Sequence, residues 1–200
     1  MRIEEVKVNG QGLGWDEALE FTEKLGLEGG LDKKELLQLR LLGEELIGLM
    51  RGIAGDMEAL FRIEQKDRAF RLLLTSEITL TQEMRSRFLA VATSGENAAA
   101  KGFMGRIRDM IAAALLPKNE GPSVFTQGAL GFLSMGSPTA GQAGGESYMW
   151  SLNKFRENVD NEEARQELED LQKSIVASIA DDVSVSVKGS DVEIVIEKAF

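Results

Sequence analysis

The 200-residue chain contains no cysteine and no histidine. The first absence excludes disulfides, a thiolate nucleophile and cysteine zinc sites. The second removes the commonest metal ligand, the usual near-neutral general base and any phosphohistidine. Chemistry here would have to run on carboxylates, lysine, arginine or hydroxyls. Long apolar runs are missing as well. No stretch approaches the roughly 18 consecutive apolar residues of a membrane span, and Met1-Arg-Ile-Glu-Glu-Val6 has no apolar run of the secretory type. A cytoplasmic protein without a membrane partner is expected. Positive charge is also short: 23 Lys and Arg face 33 Asp and Glu, a net charge of -10. Nucleic acid and anionic lipid both require clustered cations, so neither is an expected partner. The acidic balance serves solubility first and would suit a basic protein surface second.

What is present reads as one globular domain over 1–200, since 43% hydrophobic and 28% charged residues are enough to bury a core of ordinary size. Ile3, Val6 and Val8 predict a short strand, stopped by the glycines of 9–14, and a helix follows over 15–25, ended by Gly26 with Gly29 and Gly30. Asp32 and Glu35 have capping-box spacing and predict a long helix over 32–53. Its apolar stripe of Leu36, Leu39, Leu42, Leu46, Met50 and Ile53 is wide enough to place it inside a layer. Glycines at 43, 48 and 52 weaken it, either for close packing or to leave room for a ligand.

Alternation at 59–63 and at 70–74 predicts an antiparallel hairpin turning at Gln65-Lys-Asp67. Helices are expected over 79–91 and about 97–116, then a glycine-rich apolar loop over 118–150, the whole of 79–160 reading as an insertion. A helix over 162–180, with Leu168, Leu171, Ile175, Val176 and Ile179 inward, leads to a closing hairpin whose strands alternate at 183–187 and 192–196. Trp15, Tyr148 and Trp150 read as core or loop anchors. The class is α+β, a two-layer sandwich with helices on one face of a mixed, mainly antiparallel sheet.

Two segments in that order resemble the GHKL, or Bergerat-fold, ATPase superfamily, and most closely its anti-sigma-factor serine kinase and histidine kinase-like ATPase domains. Glu44-Glu-Leu-Ile-Gly-Leu-Met-Arg51 looks like the family's N-box helix, and 174–194 looks like its closing helix and strand pair. The resemblance covers most of 1–77 and 165–200. It implies ATP and magnesium as cofactors, Glu45 as the catalytic base, and a regulatory protein partner. At the place of the family's magnesium-binding asparagine stands Leu49, which cannot ligate a hard cation. Where the family has its adenine-binding Asp-x-Gly-x-Gly, this chain has Leu74-Thr-Ser-Glu-Ile78, leaving Glu77 or Ser76 as substitutes.

Lys101, in Ser94-Gly-Glu-Asn-Ala-Ala-Ala-Lys-Gly102, would suit a phosphate at a helix amino end, although the P-loop pattern is not matched. By the resemblance the 121–145 stretch is either a remodelled ATP lid or an ordered loop covering apolar surface. For each of these residues there is a plainer role: Glu44 and Glu45 as solvated carboxylates paired with Arg40 or Arg51, and Ser94 as a helix cap. Two functions are therefore expected to compete. One is a divergent ATP-binding regulator of a protein partner; the other is a non-catalytic interaction module on the same fold, whose apolar loop and acidic surface engage a partner or make a homodimer.

Overall fold

Alternating side chains build the sheet, and in its four central strands one parity is buried. Ala59, Phe61 and Ile63 face in on β2 (Glu58–Lys66), and Phe70, Leu72 and Leu74 on β3 (Ala69–Glu77). Val183, Val185 and Val187 do so on β5 (Asp182–Lys188), and Val192, Ile194 and Ile196 on β6 (Asp191–Ala199). With β1 (Arg2–Asn9) and β4 (Ser147–Ser151) these form a six-stranded sheet in the order β1-β2-β3-β6-β5-β4, antiparallel at each junction. The computed structural model describes residues 1–53, 57–79, 81–82, 86, 102–115, 147–159 and 162–200.

The helices are α1 (Trp15–Glu28), α2 (Lys33–Ile53), α3 (Gly102–Leu115), α4 (Leu152–Glu157), α5 (Glu162–Gln172) and α6 (Ile175–Ile179). They lie over the inward parity of the strands and share one apolar core with it, in which Leu39, Leu42, Leu46 and Ile47 of α2 are almost wholly buried. The final hairpin joins the first directly, Leu72 pairing with Ile196 and Leu74 with Ile194. The leucine-rich helix and the closing strands thus belong to one layered body.

The capping box forms as the spacing predicts. The Asp32 carboxylate accepts from the amides of Lys34 and Glu35 at 2.8 and 2.9 Å, and the Glu35 carboxylate accepts from the Asp32 amide at 2.8 Å. Four expectations need correction. Helix α1 runs through Gly26 and stops only at Gly29, because Gly26 is a packing glycine: a Cβ there would lie 2.6 Å from Leu36 Cδ1 on α2. The first hairpin turns at Asp67 and Arg68, while Gln65 is a buried strand residue, since Asp67 accepts the positive φ of 56° that closes the loop. The helix expected over 162–180 breaks at Ser174, whose extended backbone restarts the helical phase, so Val176 and Ala177 face in and Ile175 is 47% exposed. The end of the glycine-rich segment, Ser147–Ser151, is a strand, drawn to the sheet edge by Tyr148 and Trp150 on its inward side. The expected helix over 79–91 and the loop over 118–146 lie outside the described residues, apart from isolated positions.

Candidate functional site

Glu45 sits two-thirds of the way along α2, half-buried, and makes no hydrogen bond or ion pair among the described residues. Its neighbour Glu44 is exposed and takes the plain role: Arg40 Nε donates to it at 2.8 Å, and Arg40 also binds Glu23 of α1. Both acidic partners raise the Arg40 pKa, the hydrogen bond that Arg40 donates to Glu23 foremost. One turn beyond Glu45, Leu49 is only 5% exposed and belongs to the core, as does Met50. Helix α3 packs on α2, turning Phe103, Ile107, Met110 and Ile111 inward at helical spacing. Leu49 and Met50 thus belong to the apolar core, and among the described residues no cluster of ligands for a cation forms here.

Ser76 and Glu77 end β3 and point to opposite faces. Ser76 shares the parity of Leu72 and Leu74, and its hydroxyl donates to the Glu58 carbonyl at 2.9 Å. Glu77 shares the parity of Arg71 and Thr75, so it stands on the face away from the helices, opposite Asp191 of β6. The sheet thus separates Glu77 from Glu45, and the structure does not bring those two carboxylates together. Lys101 lies outside the described residues.

The open face carries its own geometry, which the sequence reading missed. One half of it is laced with ion pairs: Arg62 reaches Glu5 at 3.0 Å, and Arg71 reaches Glu64 at 3.2 Å and Glu197 at 3.0 Å. The other half holds a shallow depression of about 410 Å³ lined by Thr75, Ser76, Glu77, Ser186, Lys188, Asp191, Val192 and Glu193. Three carboxylates meet a single lysine there, and no ion pair forms among them. Period-two alternation in β3, β5 and β6 signals that these side chains share a face. Only the strand order makes them neighbours. Among the described residues no group of three carboxylates converges to hold a metal ion, and no helix is long and apolar enough to cross a membrane.

Tyr148 sits on the helix side of β4, where burial raises its pKa well above 10.0. Trp150 of the same strand is 1% exposed, with its ring 6.2 Å from that of Phe103 and 6.3 Å from that of Phe155. Both aromatics are anchors, as expected. Comparison with known proteins returned no match: no family model, no curated protein and no solved structure resembles the chain significantly.

Proposed function

We propose that this chain is a regulatory protein of histidine kinase-like ATPase fold that works by binding a protein partner and not by turning over nucleotide. The fold reading draws on the sequence resemblance and is supported by the order of elements, in which a long helix, a hairpin, further helices and a second hairpin all contribute to one helix-backed sheet. The observation that carries the function is the burial of Leu49. The position that the resemblance assigns to the magnesium ligand is a core side chain, 5% exposed, in the same apolar core as α3. Without that ligand the metal-bridged triphosphate loses its principal anchor. Ser76 and Glu77, the candidates for adenine, are respectively bonded to a backbone carbonyl and turned to the far face. With a net charge of -10, a partner presenting a basic surface has the complementary chemistry.

A second reading is favoured by Glu45 alone. A half-buried carboxylate with no partner among the described residues is unusual for a structural group and suits a general base, which would make the chain an ATP-binding regulator. Calorimetry separates the two. Titration with ATP or ADP and magnesium should give no saturable heat at millimolar nucleotide; saturable heat that Glu45→Ala alters would favour the second reading and end the first.

A further inference from the structure

The loop that leaves β1 holds the pair Asn9-Gly10 in a fixed turn. Asn9 ends the strand, and the glycines after it bring the chain back: the Asn9 amide donates to the Leu13 carbonyl at 3.3 Å and the Gly12 amide to the Asn9 carbonyl at 3.4 Å. The return is close, since a Cβ at Gly14 would lie 2.0 Å from the Lys7 carbonyl oxygen. The indole of Trp15 donates to the same Asn9 carbonyl at 2.8 Å. Inside the turn the Asn9 side chain is pinned as well. Its Oδ1 accepts from the amides of Gln11 and Leu13 at 2.9 and 3.1 Å. Both partners are donors only, so the carboxamide oxygen is the atom that meets them and the carboxamide nitrogen is the one turned away.

Two main-chain N–H groups on one carbonyl oxygen are the arrangement that stabilises an oxyanion when a nucleophile adds to the carbon. The nucleophile is supplied by the next residue, whose amide nitrogen closes a five-membered ring when it adds to Asn9 Cγ. Gly10 has no Cβ to crowd that approach, and its N–H makes no hydrogen bond among the described residues. Gln11, Gly12 and Leu13 are exposed, so water reaches the turn. We propose that Asn9-Gly10 is a self-modification site, at which the folded loop promotes cyclisation of Asn9 to a succinimide and hydrolysis of that ring to aspartate and isoaspartate. The Gly10 nitrogen bonds to Asn9 Cγ, the Cγ–Nδ2 bond breaks, and Nδ2 leaves as ammonia with the proton lost from the Gly10 amide. Water then opens the ring at either carbonyl. Opening at Cγ gives an ordinary aspartate; opening at the main-chain carbonyl gives isoaspartate, in which the main chain runs through Cβ and Cγ. Each product adds a negative charge. Only isoaspartate lengthens the connection between β1 and the loop, and it converts the carbonyl that Trp15 holds into a free carboxylate.

The test is incubation of the full chain at mildly alkaline pH, folded and in urea at the same pH, with residue 9 followed by peptide mass mapping and by enzymatic methylation of isoaspartate. The folded chain should accumulate both products at residue 9, and faster than the unfolded chain, because only the fold sets the Gln11 and Leu13 amides on Oδ1. Gly10→Ala should keep the circular dichroism of the wild type, since Gly10 is not among the residues of positive φ, and should slow the conversion severalfold. Tryptophan emission should drift in the wild type as isoaspartate forms beside Trp15 and stay constant in Asn9→Ser over the same time. An unmodified Asn9 in the folded chain would overturn the inference. So would conversion no faster folded than unfolded, a rate that Gly10→Ala leaves unchanged, or an equal drift of emission in Asn9→Ser.

Discussion

Two glycines in the helical layer look alike in sequence and do opposite things. Gly26 permits α1 to approach Leu36, so Gly26→Ala should destabilise the fold by about 1–2 kcal/mol as the packing strain outweighs the gain in helix propensity. Gly48 has nothing within 4 Å of where its Cβ would stand, so Gly48→Ala should stabilise by about 0.5–1 kcal/mol. Urea unfolding of the two variants beside the wild type reads both signs. If Gly48→Ala destabilised instead, α2 would be packed more tightly there than the geometry allows. The sole tyrosine supplies a second residue-scale observable. Burial disfavours the Tyr148 phenolate, which places its folded pKa above its unfolded value of 10.0. Stability from this group is therefore intact below pH 10 and declines as pH rises above it, toward the folded value. Phenolate absorbance should appear together with loss of structure. In denaturant the same tyrosine should ionise near 10.0 without a cooperative step. Ionisation near 10.0 in a chain that remains folded would show the ring to be solvated.

At the scale of elements, caps and strand turns fix where each piece starts and how it faces. Asp32 satisfies two first-turn amides of α2, so Asp32→Ala should cost about 1 kcal/mol, measurable as a lowered urea midpoint with an unchanged slope. Restoration of stability by Asp32→Asn or Asp32→Ser would identify the cap as the cause. Arg68 ties the first hairpin to the helical layer, donating to the Gly30 carbonyl at 2.9 Å and to Glu35 at 2.7 Å. These elements were largely legible in the sequence because their signals are local: the Asp32 and Glu35 pair, the period-two runs of β2, β3, β5 and β6, the apolar stripe of α2. Where the reading went astray, the deciding contact was distant in sequence. Gly26 looks like a terminator until Leu36 is set against it. Ser174 restarts a helix whose heptad-like apolar spacing gave no warning. Ser147–Ser151 followed a glycine-rich run and is short, so its strand character emerges only once β5 offers an edge.

For the whole molecule, the central feature is a division of labour between two faces of one sheet. Among the described residues the helix side buries an apolar core shared by α2 and α3, while the open side carries ion-paired rows next to an acidic depression. This division was not legible in advance, since whether Glu77 and Glu45 share a face depends on strand parity at the end of β3 and on which side α2 packs. Leu49 was informative from the sequence as a residue type, and its burial gives that departure its weight. A regulator that binds through its surfaces needs no vacancy beside α2, whereas a nucleotide-binding one does. The most direct measurement follows backbone amide resonances of 45–50 in ¹⁵N-labelled protein while ATP and magnesium are added to millimolar levels. The account predicts that these signals stay in place. Saturable shifts confined to α2 and the end of β3, absent in Glu45→Ala, would contradict it and show that the helix side holds nucleotide after all.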